Sequence, residues 1–287
     1  MKEVILAESA GFCFGVNRAV ELAYELLGKN EKVSTLGPII HNQQVIDDMA
    51  EKGAKIIDTP DEAESDSTII IRTHGIPCSL MNEIEVSGNK FLDATCPFVK
   101  KIHKIVSENS SEDIPVLIAG DEKHPEVVGI KSYSKGETYI FNSSDELVEL
   151  LKNEHELCQK RIIIVAQTTF SAKEWKNCKK NINLLCTNAK IFDTICSATH
   201  KRQSEAVTLS LECDAMLIVG GRHSSNTQKL KSTCEGNCPT FLIETADELE
   251  GIDLSEFDKI GITAGASTPA SIIKEVHNHV RNCKRTD

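Results

Sequence analysis

Apolar residues along this chain fall into two kinds of segment. Short apolar runs such as STIIIRTHG and RIIIVAQTT are typical of strands buried on both faces of a sheet. Between these runs, apolar residues recur at the spacing of a helix. One such helical stripe, which stops at Gly28, consists of Val16, Ala19, Val20, Ala23, Leu26 and Leu27. Strands that alternate with helices in this way predict βαβ units and parallel sheets.

The pattern occurs three times, each time around a cysteine. Cys13, Cys96 and Cys196 each follow a predicted strand (EVILAES, KFLDATCP and KIFDTICS) and precede a predicted helix. A glycine stands 24 residues after each cysteine and a polar residue four residues after the glycine, with no gap in the alignment. These are Gly37, Gly120 and Gly220, followed by His41, His124 and Ser224. The sequence therefore predicts an α/β fold of three pseudo-equivalent parallel-sheet units, called repeats 1, 2 and 3, at residues 14–96, 97–195 and 196–287.

Repeat 3 lacks one strand of its own. Repeats 1 and 2 each end with the strand that leads to the next cysteine, but no such strand follows the last predicted helix, PASIIKEVHNHV. The N-terminal segment EVILAES is the missing equivalent. We therefore expect residues 1–13 to supply the closing strand of repeat 3, and pairing of residues 3–8 with the sheet of repeat 1 would contradict this expectation.

Composition and charge narrow the class of protein. The 287 residues include 43 acidic and 32 basic side chains, a net charge of −11 that argues against a nucleic-acid partner. No apolar run approaches the ~20 residues of a membrane span, so no membrane partner is expected. The start, MKEVILAES, is too short and too acidic for a signal peptide, which favours a cytoplasmic location.

The repeated cysteines have the features of metal ligands. Each stands where a strand ends and a helix begins, and the positive end of a helix stabilises the thiolate that binds metal. Three thiols without a fourth predict a metal or cluster site with an open coordination position, an arrangement more typical of catalysis than of structure. The remaining cysteines are expected to be reduced and to be buried or incidental thiols: Cys78, Cys158, Cys178, Cys186, Cys213, Cys234, Cys238 and Cys283.

Polar residues at the predicted strand ends favour an anion site. Helix N-termini surrounded by Ser, Asn and His side chains bind phosphate-type anions, and three such termini together favour a diphosphate. Taken singly, Ser224, Asn226 and Ser267 would be ordinary helix N-caps, but their equivalent positions in a repeat favour ligand binding. The full set is His41, His74, His124, Thr168, Ser224, Ser225, Asn226 and Ser267.

Glu126 is the acidic residue close to a histidine of this set. Beside an anionic substrate, a carboxyl group whose pKa is raised by the neighbouring anion is a natural general acid, and Thr168 is a candidate relay to it. The histidines on other helical or loop stretches are predicted to be solvated, namely His103, His155, His277 and His279.

These residues also carry a family resemblance. The motifs GFCFGV around Cys13 and DATCP around Cys96 resemble those of the 4-hydroxy-3-methylbut-2-enyl diphosphate reductase family, which performs the last step of the methylerythritol phosphate route to isoprenoids. The resemblance extends from Gly11 to about residue 280, although the pair Arg222–His223 departs from the family pattern. The other matching motifs are HN at His41, THG at His74, HPEV at His124, QTT at Thr168, SSN at Ser224 and TAGAS at Ser267.

The resemblance implies a cofactor and a reaction. It implies three repeats arranged around a central [4Fe–4S] cluster on Cys13, Cys96 and Cys196, whose fourth iron binds the substrate hydroxyl. The implied reaction is reductive dehydroxylation of the allylic diphosphate to isopentenyl and dimethylallyl diphosphate. Two electrons would come, one at a time, from an external donor such as ferredoxin or flavodoxin.

The resemblance also implies roles for the polar residues. Glu126 is the implied proton donor, aided by Thr168 and His124. The implied diphosphate ligands are His41, His74, His124, Ser224, Ser225, Asn226 and Ser267.

Other classes of protein fit parts of this pattern. An iron–sulfur hydro-lyase also uses three cysteines and an open iron, but it needs no electron donor. A three-thiolate zinc enzyme would be colourless and indifferent to reductant. A non-catalytic iron–sulfur sensor leaves the polar residues unexplained, and a simple electron carrier usually supplies four cluster ligands.

Overall fold

The computed structural model describes residues 2–282 of the chain, so Cys283 lies outside the described residues. Helices and strands alternate through this range, as the sequence predicts. The helices are α1 (Phe14–Gly28), α2 (Gln43–Glu51), α3 (Cys78–Ser87), α4 (Pro97–Asn109), α5 (Pro125–Ser132), α6 (Ser144–Asn153), α7 (Ala172–Leu185), α8 (Ser197–Glu212), α9 (Ser225–Cys234) and α10 (Ala270–Asn282). Within residues 2–282, no helix is long and apolar enough to cross a membrane.

The strands form three parallel sheets of four strands each. Sheet 1 has the order β3-β2-β4-β5, sheet 2 the order β7-β6-β8-β9, and sheet 3 the order β11-β10-β12-β1. The strands are β1 (Glu3–Leu6), β2 (Val33–Leu36), β3 (Lys55–Ile57), β4 (Thr68–Ile71), β5 (Phe91–Asp93), β6 (Val116–Ala119), β7 (Thr138–Phe141), β8 (Ile162–Ala166), β9 (Ala189–Ile191), β10 (Ala215–Val219), β11 (Thr240–Ile243) and β12 (Lys259–Ala264). The three sheets share one strand order, which confirms a repeated parallel α/β fold.

The N-terminal strand β1 belongs to sheet 3. It pairs in parallel with β12, with Glu3 opposite Lys259 and Leu6 opposite Ile262. It therefore occupies in sheet 3 the place that β5 and β9 occupy in sheets 1 and 2. This is the strand that the sequence of repeat 3 lacks.

The described residues divide into two compact units. The first comprises residues 2–17, Ile40–Asp48 and residues 197–282, and it contains sheet 3. The second comprises Arg18–Ile39 and Met49–Cys196, and it contains sheets 1 and 2. The finer division into three units at 14–96, 97–195 and 196–287 stays a prediction.

The central strands of the sheets are buried along all or nearly all of their length. β4 (TIII), β6 (VLIA), β8 (IIIVA) and β10 (AMLIV) contain only buried residues. Continuous apolar strands of this kind are expected where helices cover both faces of a parallel sheet. The carboxyl ends of these strands are therefore held rigidly, and polar residues that follow them have fixed positions.

The glycine of each repeat lies directly after the first central strand of its sheet. Its N–H bonds the carbonyl of the last residue of the edge strand, from Gly37 to Ile57 at 2.8 Å, Gly120 to Phe141 at 2.9 Å and Gly220 to Ile243 at 2.9 Å. At Gly220, where φ is +145°, a Cβ atom would lie 2.6 Å from the Thr268 hydroxyl oxygen. A side chain at Gly220 would therefore be excluded both by backbone conformation and by contact.

Candidate functional site

The three repeated cysteines have the same local geometry. Each lies just before a helix, and its N–H donates to the carbonyl of a residue just after the third strand of a sheet. These bonds run from Cys13 to Ala266 at 3.2 Å, from Cys96 to Thr73 at 3.0 Å and from Cys196 to Thr168 at 3.1 Å. Each of the three thiols is partly exposed. The structure thus gives the sequence repeat a physical basis, because strand end, cysteine and helix start are tied together each time.

Two of these cysteines accept the first hydrogen bond of the following helix. The Cys13 carbonyl accepts from the Asn17 N–H at 2.9 Å, and the Cys96 carbonyl accepts from the Lys100 N–H at 3.0 Å. A thiol at this position faces the positive end of the helix dipole, which favours the thiolate. The donor set therefore fits soft, thiolate-binding metal centres such as iron–sulfur clusters.

The same backbone bonds revise one detail of the sequence alignment. Because Thr73, Thr168 and Ala266 each accept from a repeated cysteine, these three residues are equivalent. The residue equivalent to His74 and Ser267 is then Thr169, and not Thr168, which the strand-end pattern of the sequence places in one set with them. Thr168 instead lies one residue earlier, at the position where its backbone carbonyl holds Cys196.

Glu126 and Thr168 form a buried pair within the second compact unit. The Thr168 N–H donates to Glu126 Oε1 at 2.6 Å, and the Thr168 hydroxyl donates to Oε2 at 2.8 Å. Glu126 is only 2% exposed. Burial raises the pKa of the Glu126 carboxyl to about 7, although both hydrogen bonds from Thr168 act to lower it. The raised pKa was expected, but burial causes it here and no neighbouring anion is needed.

His124 is fixed at the start of α5. Its Nδ1 accepts a hydrogen bond from the Glu126 N–H at 3.1 Å, so the side chain caps the helix. In the neutral imidazole, Nδ1 is then the acceptor and Nε2 carries the proton. The His74 ring contacts His124 edge-on, with 5.3 Å between ring centroids. The second compact unit thus brings together two imidazoles and, through His124, the Glu126–Thr168 pair.

The other polar residues of the predicted set lie in the first compact unit. The Ser224 side chain caps α9 by accepting from the Thr227 N–H at 3.4 Å. The Ser267 hydroxyl donates to the His41 carbonyl at 3.1 Å. Asn226 is 4% exposed, and among the described residues neither Oδ1 nor Nδ2 of its side chain has a hydrogen-bond partner. A buried amide with both atoms unsatisfied is costly, so this side chain is set up for a polar ligand.

Arg222, whose neighbourhood departs from the family pattern, is held at the edge of sheet 3. Its guanidinium forms an ion pair with Glu248. The backbone N–H of Arg222 donates to the Glu244 carboxylate at 2.6 Å. Its Nη1 also donates to the Leu242 carbonyl at 3.4 Å. These contacts pair the positive charge of Arg222 with an acidic residue and hold the residue against β11 and the segment that follows it.

His103 is a polar residue that the sequence analysis placed wrongly. It was predicted to be solvated, but it is 8% exposed and its ring stacks on Tyr133 with 4.3 Å between centroids. A Cβ atom on Gly75 would lie 2.7 Å from its Cε1, and one on Gly129 would lie 3.3 Å from its Nε2. Burial lowers the pKa of His103 to about 4, so the ring is neutral. It therefore packs as a core residue beside the segment that follows His74.

The remaining described cysteines are free thiols with structural surroundings. Cys178, Cys186, Cys213 and Cys234 are buried, and burial raises the pKa of Cys178, Cys186 and Cys234 to about 12. Thiols that resist ionisation are poor metal ligands. The expectation of buried thiols outside the repeat is therefore confirmed for these residues.

Together, the repeated sheets and cysteines define an α/β protein with a threefold thiol motif and a buried acid, Glu126, paired with Thr168. The chain belongs to the LytB protein family, whose pattern it matches over residues 4–281. Curated relatives share this length and are named 4-hydroxy-3-methylbut-2-enyl diphosphate reductase. One from Caldanaerobacter subterraneus subsp. tengcongensis is 44% identical and covers 99% of each chain, and one from Clostridioides difficile is 41% identical and covers 96% of this chain and 98% of its own.

Two solved structures, one named (E)-4-hydroxy-3-methyl-but-2-enyl diphosphate reductase and one named E-1-hydroxy-2-methyl-but-2-enyl-4-diphosphate reductase, are also similar. One, described as the terminal enzyme of the non-mevalonate pathway, is 37% identical with a TM-score of 0.69, covering 99% of this chain and 100% of that chain. Another, from Plasmodium falciparum, is 27% identical with a TM-score of 0.89, covering 98% of this chain and 88% of its own. The fold is therefore shared over the full length of the chain.

Proposed function

We propose that this protein is a 4-hydroxy-3-methylbut-2-enyl diphosphate reductase acting in the cytoplasm. The observation that carries the proposal is the repeated attachment of Cys13, Cys96 and Cys196 to strand ends, in a chain 44% identical over its whole length to a reductase of that name. The reaction consumes the allylic alcohol, two electrons and two protons. It releases one water and gives isopentenyl or dimethylallyl diphosphate.

The three cysteines are the proposed ligands of a [4Fe–4S] cluster. Their positions, each partly exposed at a helix start and bonded to a strand end, fit this cofactor, whereas the buried thiols elsewhere do not. When bound, such a cluster supplies electrons one at a time and leaves one iron open to act as a Lewis acid for the substrate hydroxyl. Because the cluster must be reduced from outside, an external one-electron donor such as ferredoxin or flavodoxin is the proposed partner.

Glu126 is the proposed proton donor. With a pKa of about 7, it holds a proton in a large fraction of molecules at neutral pH. Oε2 lies 2.8 Å from the Thr168 hydroxyl oxygen, which can accept a proton from the protonated carboxyl and pass on its own proton. One proton leaves with the hydroxyl as water and the second goes to the allylic carbon. The Glu126–Thr168 pair is the proposed route for protons to the reacting end of the substrate.

The diphosphate is proposed to bind to neutral donors and helix starts. His41, His74 and His124 provide imidazoles, and the α9 start provides backbone N–H groups together with hydroxyl and amide groups. Support comes from Asn226, whose buried amide has no partner among the described residues. The remaining proposed diphosphate ligands are Ser224, Ser225 and Ser267.

An anaerobic turnover assay on the brown, cluster-containing protein tests this proposal. The hydroxylated allylic diphosphate is supplied with and without reduced methyl viologen, and Glu126→Gln serves as the matched inactive variant. Isoprenoid diphosphates formed only with the reductant support the reductase. Water loss without reductant would identify a hydro-lyase, and no turnover by a protein with a full cluster would favour a sensor.

A further inference from the structure

We infer that Arg18 and Arg202 are positioning residues that hold the backbone in front of two of the repeated cysteines. The inference rests on the proposed cluster for its redox consequence but not for its structural part. Each arginine lies in the second turn of a helix that starts at one cysteine, and it reaches the segment just before another cysteine. Neither residue belongs to the predicted site.

Arg18 holds the segment that leads into Cys96. Its Nη2 donates to the Asp93 carbonyl at 3.1 Å and to the Thr95 carbonyl at 3.2 Å. The Thr95 N–H in turn donates to the Asp93 carboxylate at 2.9 Å, and Lys100 forms a 2.6 Å ion pair with the same carboxylate. One guanidinium nitrogen thus fixes both ends of a tight turn whose next residue is Cys96.

Arg202 does the same for Cys13 from α8. Its Nη2 donates to the Gly11 carbonyl, two residues before the thiol, and the side chain is 4% exposed. Gly11 has a φ of +98°, and a Cβ atom there would lie 3.0 Å from Ile273 Cδ1. The backbone at Gly11, whose carbonyl Arg202 binds, therefore has a conformation that only glycine adopts easily.

The segment before Cys196 is held by bonds to β8 of its own sheet and to α7. The Thr194 hydroxyl contacts both the Ala166 N–H at 2.8 Å and the Ala166 carbonyl at 2.7 Å. Asp193 accepts from Trp175 Nε1 and from Lys179, each at 2.8 Å. Hydrogen bonds therefore fasten the turn before each of the three cysteines, and before Cys13 and Cys96 an arginine from the helix that follows a different repeated cysteine takes part.

The choice of arginine has two physical consequences. A planar guanidinium presents several donors in fixed directions, which suits two backbone carbonyls better than a single ammonium does. It also keeps its positive charge at any working pH, and a bond to the Thr95 carbonyl places that charge one residue from the Cys96 thiolate. Reduction of a cluster adds negative charge, so a nearby cation favours the reduced form. Arg18 is therefore expected both to stiffen the ligand loop and to raise the reduction potential.

The test uses Arg18, because Arg202 is buried and its loss would disturb folding. Arg18→Gln removes the positive charge, and Arg18→Lys keeps the charge but loses the planar guanidinium. The control is Arg161→Gln, the same change at an exposed arginine of the same compact unit. Exchange of the amide hydrogens of residues 93–96 is measured on the cluster-free protein. Iron content, iron release to a chelator and midpoint potential are measured on the reconstituted protein.

The expected pattern separates the two roles. In Arg18→Gln, the Cys96 amide should exchange about tenfold faster, iron should be released faster, and the midpoint potential should fall. Arg18→Lys should show the faster exchange with a potential close to that of the wild type. Unchanged exchange in Arg18→Gln would overturn the positioning role, and unchanged potential would overturn the electrostatic role.

Failure of the proposed function is distinguishable from failure of this inference. If the wild type binds iron but does not convert the allylic diphosphate, the reductase proposal fails while the exchange and potential measurements still decide the role of Arg18. If the wild type turns over and Arg18→Gln matches it in exchange, iron release and potential, the inference fails alone.

Discussion

Thr168 donates two hydrogen bonds to Glu126, one from its backbone N–H and one from its hydroxyl, to different oxygens of the same carboxylate. The pair fixes the carboxyl orientation while burial keeps its pKa at about 7. We predict that kcat/KM falls as pH rises through about 7, because only the protonated carboxyl acts as an acid. Initial rates across pH 5.5–9 with a chemical reductant measure this. Glu126→Gln should lose ~100-fold or more in turnover while keeping its iron content.

Thr168→Val tests the relay from the other side. The substitution keeps the N–H bond to Oε1 but removes the hydroxyl, which acts to lower the pKa of Glu126. The pH at which kcat/KM begins to fall should therefore be higher than in the wild type, and kcat should be lower by about tenfold. A fall that began at lower pH would contradict the assignment of this fall to Glu126.

His103 makes stability depend on pH in a defined direction. Its folded-state pKa of about 4 lies below the ordinary value of 6.5, with burial as the main cause, while Asp93 acts to raise it and Lys100 to lower it. The unfolded chain therefore binds more protons at this site, and His103 by itself should contribute a loss of up to about 3 kcal/mol in the free energy of unfolding as pH falls from 6.5 to 4. Glu126, whose folded pKa is raised, contributes the opposite slope between 4.5 and about 7.

Urea unfolding of the cluster-free protein at several pH values separates these slopes. In the wild type these two contributions largely cancel between pH 4.5 and 6.5. His103→Phe, which keeps a ring against Tyr133, should leave the Glu126 contribution, so that the free energy of unfolding rises as pH falls, and Glu126→Gln should leave the His103 contribution, so that it declines. The comparison is between slopes, so a constant loss from repacking does not affect it. Equal slopes in wild type and His103→Phe would show that His103 is not buried and neutral in solution.

Iron binding should depend on the three repeated cysteines and not on the total number of thiols. Cys96→Ser should lose the cluster, because Cys96 lies at a helix start tied to a strand end. Cys238→Ser should keep it, since burial raises the pKa of that thiol and it lies outside the repeat. Iron and sulfide per chain after reconstitution measure the difference. Equal loss in both variants would undo the assignment of ligands.

Asn226 should control affinity for the anion. Asn226→Asp places a buried negative charge where a diphosphate is proposed to bind, so KM should rise by about 100-fold or more with a smaller change in kcat. Asn278→Asp, the same change at an exposed position of the same compact unit, is the control. Competitive inhibition by inorganic diphosphate should weaken in parallel. An unchanged KM would remove Asn226 from the substrate site.

The central strands and the helices after each cysteine could be predicted because each has a regular pattern of buried apolar residues. Strands such as β8 are buried along their whole length, so an apolar run suffices to identify them. The edge strands β3, β7 and β11 were missed. They contain three or four residues and are partly exposed, and β3 (KII) has only one buried position. Such strands depend on pairing with a neighbour, which a local pattern does not record.

The hydrogen-bond partners of buried polar residues at the site could not be predicted from the sequence pattern. The sequence placed Glu126 and Thr168 at neighbouring strand ends, but it did not show that both bonds come from one residue. The buried face of α8 includes Thr199, Arg202 and Gln203, whereas the apolar Val207 of the same helix is 38% exposed. These positions are decided by partners far away in the chain, and a repeat reveals only which positions are equivalent.

The pairing of β1 with β12 has a consequence for how the chain folds. Sheets 1 and 2 are each built from one continuous stretch, so they can assemble as soon as that stretch has been synthesised. Sheet 3 joins residues 3–6 to residues 259–264, so its outer strand waits unpaired until almost the whole chain exists. Contacts of such high sequence separation slow folding. The last sheet to form is therefore the one that anchors Cys13, and uptake of iron by all three cysteines should be a late event in maturation.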